Sequence, residues 1–465
     1  MFINRLEHFE SETIDPISNI QYSIFNTRLP IRPSDNNGIQ RTMSSIGSHS
    51  STIDDDDDDD DDLNRRISTM IHACSIGDLA TLSSFLQQDE QSACRQDQST
   101  GQSPLMAAAA AGYAPICTIL LEHGAPWNAI DRCGQCAGNY ATQNEHWDVV
   151  SMLVDHATRA ELILGSVARW NRSELSHEPS TTLSLQQQPC TKPNYLRHSL
   201  TFTNDGNALL DADKDAIMME WERPLMQAHA QVLMSEGRKT VLNVGFGMGI
   251  IDTYLQEYQP DLHIIIEAHP DVYQKMMTDK WKERPNVRIE FGTWQDVLPK
   301  LVKEGITMDA IFYDTFGEHF LDLEDFHAYL PKLLSNPNGM YSFFNGLAPD
   351  NIFFHGVACQ CVKLQLQQLG FQTDFLPCEI QVKDEVWEGI RRKYWHGRDT
   401  YYLPTSRWIP TTNTTMEVDS NDNDDDNEED IDPRKVKMEE NEKMEAMNKR
   451  QRVDSIDVDV ELVDQ

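Results

Sequence analysis

The stretch TVLNVGFGMGIIDTYLQEYQPDLHIIIEAHP, Thr240–Pro270, decides how the chain is read. Val241–Val244 reads as a short buried strand, and Gly245, Gly247 and Gly249 form a turn directly after it. Ile250–Tyr258 has helical character, and Leu262–Glu267 is a second apolar strand that ends on an acid. Strand, glycine-rich turn, helix and strand together are the layout of a nucleotide-cofactor site. Glycines let the backbone come close to a ligand where a Cβ would collide with it. Glu267, at the tip of the second strand, is placed to accept hydrogen bonds from both hydroxyls of a ribose. The glycines run G-x-G-x-G, a spacing common in S-adenosylmethionine sites, whereas a dinucleotide fingerprint is G-x-G-x-x-G. The turn alone leaves NAD open.

Downstream, the alternation of strands and helices continues. Val287–Phe291 reads as a strand followed by the loop Gly292–Asp296, and Met308–Tyr313 as a strand followed at once by Asp314. A helix is expected over Phe326–Leu334, a strand over Gly339–Phe344 and a helix over Val357–Leu369. Phe371–Phe375 and Asp399–Leu403 can close the sheet as an antiparallel pair. Ligands in open α/β sheets bind beyond the carboxyl ends of the strands. By that rule Gly245–Gly249, Glu267, Trp294, Asp314 and Asn345 fall along one edge. Upstream, Asp211–Asp215 carries turn and helix-start signals, and Pro224 fits the first turn of a helix through Met226 and Leu233. Just before that helix stands MMEWERP, Met218–Pro224. Either Trp221 is core and Glu220 and Glu222 favour the helix N-terminus, or one of those carboxylates points into a substrate pocket.

A chain of 465 residues suggests two or three domains. Its net charge of -36 is partly local, because Asp54–Asp62 is an unbroken acidic run and Thr411–Gln465 holds 19 acids against 7 Lys/Arg. An acidic surface disfavours nonspecific binding to phosphate backbones. No apolar stretch approaches the ~20 residues of a membrane span, and the N-terminus lacks a signal-peptide core. The nine cysteines show no framework spacing, which fits a reducing compartment. These features predict a soluble intracellular protein that binds neither nucleic acid nor membrane directly.

Residues 1–62 are Ser-, Asn- and Asp-rich and cannot bury enough surface to offset chain entropy, so disorder is expected there. From 63 to 165 the pattern is different. Thr100–Ala129 reads as turn, small-residue helix, Gly, apolar helix and His-Gly-Ala, and it recurs about 33 residues later: Gly134 matches Gly101, Ala137 matches Pro104 and Met152-Leu153 matches Ile119-Leu120. A weaker copy, Ile71–Leu86, precedes it. This period, with S-P-L-M-x-A for T-P-L-H-x-A, resembles ankyrin repeats. Two to three repeats make a short stack, expected to lean on the domain that follows. Cys133 and Cys136 form an isolated C-x-x-C that falls in a turn and helix start of the repeat, and Cys359 and Cys361 read as core. A Ser/Gln/Pro-rich linker is expected over 166–193, a catalytic domain over 194–410 and a disordered acidic tail over 411–465.

MMEWERPLM, VLNVGFGMGI, IIEAHPDVYQKM, GTWQDV and FYDTF resemble guanidinoacetate N-methyltransferase. Joined to N-terminal ankyrin repeats, they resemble the fungal type IV protein arginine N-methyltransferase family, which methylates the internal δ-nitrogen of arginine. The resemblance covers roughly residues 65–405. It implies an α/β, Rossmann-like, S-adenosylmethionine-dependent methyltransferase domain preceded by a short all-α ankyrin-repeat stack. It further implies that Gly245, Phe246, Gly247, Met248, Gly249 and Ile250 face the methionine part of S-adenosylmethionine. Glu267, Ala268 and His269 would surround the ribose, and Thr293 and Trp294 would contact the adenine. Tyr195, Met218 and Met226 would line the pocket, while Glu222 and Asp314 would hold the guanidine, with Asp314 also beside the cofactor. Of these two, Asp314 would be the base and Glu222 the clamp.

Two departures stand out. Asn243 occupies the place where many methyltransferases have an acid, and the stretch after Asn345 reads GLAPD where the small-molecule enzyme has LTS. The second departure points to a different acceptor. The partner implied is a protein presenting arginine, a ribosomal protein by family, methylated by a monomer in cytoplasm and nucleus. Lys449-Arg450-Gln451-Arg452 is a candidate import signal. The alternatives are a small guanidino compound as acceptor and a non-catalytic ankyrin adaptor.

Overall fold

The computed structural model describes residues 57–175, 195–318, 320–395 and 399–410. The acidic stretch before 57, the linker from 176 to 194 and the tail from Thr411 with its Lys449–Arg452 cluster lie outside the described residues. Six helices come first: α1 (Asp57–Ile76), α2 (Leu79–Gln88), α3 (Pro104–Ala110), α4 (Ala114–Glu122), α5 (Ala137–Gln143) and α6 (Trp147–Leu175). Their starts are written locally. The Asp78 carboxylate accepts from the backbone N–H of Ala80 and Thr81, both at 3.1 Å, and caps α2. Ser103 Oγ accepts from Met106 N at 3.2 Å and caps α3, which opens on Pro104. Ala107, Ala108 and Ala109 are buried, so paired helices approach closely without side chains in the way. The helices share one core with Leu82, Leu105, Ile116, Leu120, Val149 and Leu153.

The catalytic region follows. A small antiparallel sheet of β1 (Thr201–Phe202), β2 (Ala208–Leu210) and β3 (Ala216–Met219) leads into α7 (Arg223–Met234). Then come β4 (Thr240–Val244), α8 (Ile250–Glu257), β5 (Leu262–Glu267), α9 (Pro270–Thr278), β6 (Val287–Phe291), α10 (Trp294–Lys303), β7 (Ala310–Tyr313), α11 (Phe320–His327), α12 (Leu330–Leu333), β8 (Met340–Phe343), α13 (Ile352–Gln368), β9 (Phe371–Glu379) and β10 (Thr400–Trp408). They build a seven-stranded sheet in the order β6-β5-β4-β7-β8-β10-β9. Strands β4 to β8 run parallel, and β10 is antiparallel to both β8 and β9. β4 has β5 on one side and β7 on the other, so the strand order reverses there, and the crevice opens at that point.

Alternation along the strands explains the two layers of core. Leu242, Val244, Ile264, Ile266, Ile311 and Tyr313 pack against α10 to α13 on one face. Val241, Ala310, Phe312 and Met340 pack against α7 and α8 on the other. Each fully buried aliphatic contributes about 1.5–3 kcal/mol relative to exposure, so the central strands anchor the fold.

Several boundaries differ from the sequence expectation. α1 starts at Asp57 and takes in part of the acidic run; acids in a first helical turn are electrostatically favoured. α6 continues to Leu175, into the stretch expected as linker. Asp211–Asp215 is the turn between β2 and β3, with no helix at its end: Asp211 Oδ1 accepts from the N–H of Asp213 and Asp215, both at 2.9 Å. The helix expected over Phe326–Leu334 is divided at Tyr329 into α11 and α12. α13 begins at Ile352 rather than Val357, because the side chain of Asn351 caps it. The antiparallel pair at the sheet edge is present and longer than expected. The short helical stack does lean on the catalytic region, since Phe353, Val357 and Cys361 of α13 belong to the stack's own core.

Candidate active site

The glycine turn is shaped by what crowds it. Gly245 has φ +94°, and a Cβ there would lie 1.9 Å from the carbonyl oxygen of Asp314. Gly247 has φ +56°, and its Cβ would lie 2.8 Å from Met218 Sδ. At Gly245 a side chain would have to displace the backbone just after β7, and at Gly247 the positive φ disfavours one even where the Met218 side chain gives way. Glu267 ties the turn to the end of β5: its Oε2 accepts from Phe246 N at 2.9 Å and its Oε1 from His269 N at 2.6 Å. Burial raises the Glu267 carboxyl, while the backbone donors around it pull the other way. Glu267 also lines the cavity next to the turn.

Beyond the strand tips lies a cavity of about 1440 Å³. Of the residues singled out in the sequence, Tyr195, Met218, Glu222, Gly245, Gly247, Glu267, Ala268, Thr293, Trp294 and Asp314 line it. The others stand behind this wall. Met226 and Ile250 are core residues packed with Met218, and Met248 packs partly buried against the same core. Phe246 sits beneath Gly249, edge-on to Trp281 at 5.2 Å. His269 caps α9, bonds the carbonyl of His198 through Nε2 at 2.9 Å and carries the ring of Tyr195 at 5.1 Å. Asn243 is turned away from the cavity and bonds both oxygens of Asp252, at 2.8 and 2.9 Å. Asn345 is also withdrawn, donating from its backbone N–H to Tyr401 Oη at 2.7 Å and from Nδ2 to the Tyr402 carbonyl at 2.8 Å.

Glu222 and Asp314 meet on the other side of the cavity. Glu220 points outward and pairs with Arg223, so Glu222 is the acid of the pair that turns inward. Its Oε1 accepts from Met219 N at 3.0 Å and from the hydroxyl of Tyr394. Burial pushes the Glu222 carboxyl up to about 8, and the charge of Asp314 adds to the shift. At the end of β7 the Asp314 backbone N–H donates to the Val244 carbonyl at 2.9 Å, its carboxylate has no hydrogen bond to a described residue, and burial pushes it up to about 7. Asp314 is half-buried and lines the cavity. Two carboxylates that repel each other in an apolar setting make a site for a delocalised cation.

Two participants gave no sequence signal. Tyr394 comes from the long connection between β9 and β10, which Arg391 fastens to the β2–β3 turn by a two-pronged ion pair with Asp215. Its ring packs with Trp221 at 5.7 Å and Trp387 at 5.0 Å. Glu318 gathers the cavity wall at Trp294: its carboxylate accepts from Trp294 Nε1 at 2.9 Å and from Gln295 Nε2 at 3.1 Å. The hydroxyls of Tyr313 and Thr315 also donate to it, both at 2.5 Å. That hub ties the loop after β7 to the start of α10. The C-x-x-C pair belongs to the repeat, with Cys136 buried and its thiol donating to Asn139 Oδ1 at 3.0 Å, while Cys133 is exposed.

The residues fit S-adenosylmethionine. The backbone cradle at Gly245 and Gly247 is space that a Cβ would fill, and the carboxylate-bearing Glu267 lines the cavity at its end.

Comparison with known proteins agrees with this geometry. The profile of the guanidinoacetate N-methyltransferase family matches residues 188–343, and that of ankyrin repeats in three copies matches residues 70–162. A protein of Yarrowia lipolytica named protein arginine N-methyltransferase 2 is 43% identical over 222 residues, which cover 45% of this chain and 46% of that relative. The protein of the same name from Aspergillus oryzae is 33% identical over 62% of this chain and 77% of its own length. That from Aspergillus fumigatus is 32% identical over 73% of this chain and 86% of its own length.

Proposed function

The chain belongs to the protein arginine N-methyltransferase 2 family, and from that premise we propose that it moves the methyl group of S-adenosylmethionine to the δ-nitrogen of an arginine in a protein acceptor. The observation that carries this reading is the pair of buried Glu222 and half-buried Asp314, which lines the cavity beside the glycine turn with neither carboxylate ion-paired to a described residue.

S-adenosylmethionine supplies an electrophilic methyl group on a sulfonium, and the chain has to present a nitrogen lone pair to it. The Gly245–Gly249 turn and Glu267 would hold the cofactor's amino-acid and ribose parts, and Thr293 and Trp294 would flank its adenine. A free guanidinium, with a pKa of about 12.5, is protonated and a poor nucleophile. Glu222 and Asp314 can grip it through charge-assisted hydrogen bonds and turn one nitrogen toward the methyl group. As the new N–C bond forms and the S–C pair returns to sulfur, the nitrogen's proton passes to Asp314. General-base help of this kind is worth roughly 10²–10⁴-fold. Tyr394 and Met219 N both engage Glu222 Oε1, which leaves Oε2 for the clamp.

The finer parts of the proposal have separate support. The δ-nitrogen follows from the resemblance of the five motifs to the type IV family, as does a ribosomal protein as acceptor. An ankyrin stack attached to the catalytic region fits a protein acceptor better than a free metabolite. Action as a monomer, in cytoplasm and nucleus, completes the proposal, the latter from the basic cluster at Lys449–Arg452. A small guanidino compound is the second reading, favoured by the family profile over residues 188–343. Incubation with fungal ribosomal proteins and labelled S-adenosylmethionine, followed by mass spectrometry of arginine, separates them. δ-Monomethylarginine in protein is expected. Label found only in small guanidino compounds would favour the second reading.

A further inference from the structure

The loop after β8 lines the cavity with Gly346, Leu347, Ala348, Pro349 and Asp350. β8 neighbours β7 on the side away from β5, so this loop walls the half that holds Glu222 and Asp314. It covers the stretch GLAPD, where the sequence leaves the small-molecule pattern. Ala348 has φ +41°, in the left-handed region that residues with a Cβ seldom adopt. Such a conformation persists when surrounding structure holds it in place.

The ring Nδ1 of His355 on α13 bonds the Leu347 carbonyl at 2.5 Å, and a second anchor comes from the ankyrin stack. Asn351 ends the loop and does two things with one side chain. Its Oδ1 accepts from the N–H of Phe353 at 3.0 Å and Phe354 at 3.2 Å, capping α13. Its Nδ2 donates to Asn139 Oδ1 at 2.7 Å and to the Gly134 carbonyl at 3.4 Å, both at the start of the last helix pair. The ring of Phe353 then lies on the backbone of Gly138, where a Cβ would be 2.1 Å from the ring. Phe354 meets Trp127 edge-on at 5.7 Å. The loop is thus fastened at its far end to the repeat.

We propose that the ankyrin stack is a structural part of the acceptor site, with Asn351 as the positioning residue that sets the Gly346–Asp350 wall. The inference rests on the arginine-acceptor reading above. Acceptor affinity then depends on an interdomain hydrogen bond that the cofactor never touches.

Asn351→Asp in the full chain isolates that bond. Aspartate caps a helix as well as asparagine does, but it has no N–H and sets a carboxylate against Asn139 Oδ1 and the Gly134 carbonyl. Asn351→Ser caps without charge and is too short to reach Asn139, so it guards against a folding failure of the first variant. With fungal ribosomal proteins as the acceptor probe, both variants should raise KM about tenfold with kcat within about twofold. S-adenosylhomocysteine affinity by calorimetry should stay within about twofold. Amide exchange should speed up at Gly346–Ala348 and stay unchanged at Gly245–Gly249. An acceptor KM equal to that of the parent, or unchanged exchange in the loop of both variants, would overturn the proposal. Failure of the unmutated protein to methylate arginine would instead strike the functional reading, and the exchange result would still decide this one.

Discussion

Buried Glu267 and the pair of buried Glu222 and half-buried Asp314 are carboxylates on one cavity, and they are treated in opposite ways. Glu267 receives backbone N–H groups on both oxygens, from residues that flank it in the turn and in the loop after β5. Glu222 shares a single oxygen between two donors, and no described residue donates to Asp314. The cofactor half is therefore preorganised by the chain itself, in the way a site for a constant ligand can be. In the acceptor half neither carboxylate is ion-paired with a described residue, which leaves both for a guanidinium. Each half suggests its own perturbation.

The largest effect should come from Asp314→Asn, which keeps shape and one acceptor oxygen but removes the charge and the proton sink. Turnover should fall about 10²-fold or more while cofactor affinity stays within about twofold, as read by steady-state kinetics and calorimetry. A matching loss of cofactor affinity would merge the two halves and break the comparison. Glu267→Ala is the converse. It strands the N–H groups of Phe246 and His269 and removes bonds worth about 1.5–3 kcal/mol each, so cofactor affinity should drop by tenfold or more with acceptor KM little changed.

A smaller effect is expected from Tyr394→Phe. The variant keeps the ring against Trp221 and Trp387 and loses the hydroxyl that holds the Glu222 carboxyl down. The limb on which kcat/KM rises with pH, set near 7 to 8 by Glu222 and Asp314, should move upward. At pH 7 the loss should be several-fold, about 3–10, and should fade in alkaline buffer. A uniform loss at every pH would make Tyr394 a packing residue.

The smallest effect is on stability. Both carboxyls titrate higher folded than unfolded, so they favour the fold fully below about pH 4, and that contribution is lost as pH rises through 7 to 8. Asp314→Asn should therefore raise the melting temperature by a few degrees at pH 8 and leave it nearly unchanged at pH 4. An equal shift at both values would point to packing rather than charge.

The same division marks what the sequence made legible. The glycine turn, Glu267 and the strand ends are local patterns, and a period of 33 residues repeats whatever the tertiary structure. All of these appear in the fold where they were expected. Phe246, Met248 and His269 sit within the motif yet face away from the cavity, because a turn spaces residues in sequence without saying which side each one takes. The acceptor half was harder. Tyr394 reaches Glu222 across 172 positions and Asn351 reaches Asn139 across 212, and no periodicity encodes such pairings. Glu318 was missed for another reason: its function depends on four donors converging on one carboxylate, which only packing brings about. Asn345 was placed at the cavity edge by the strand-end rule, which gives a residue's level but not its direction.

The most direct test of the central claim counts protons. Glu222 and Asp314 lie near 8 and 7 in the free protein, so at pH 7 they hold on the order of one proton between them, and a guanidinium seated on both must expel it. Calorimetry of an arginine-containing peptide binding to the protein loaded with S-adenosylhomocysteine, repeated in buffers of different ionisation heat, gives that number. The account predicts release of about one proton per peptide at pH 7, falling toward zero by about pH 9, and no release when S-adenosylhomocysteine binds alone. Peptide binding without proton release at pH 7 would show that the guanidinium does not sit on Glu222 and Asp314.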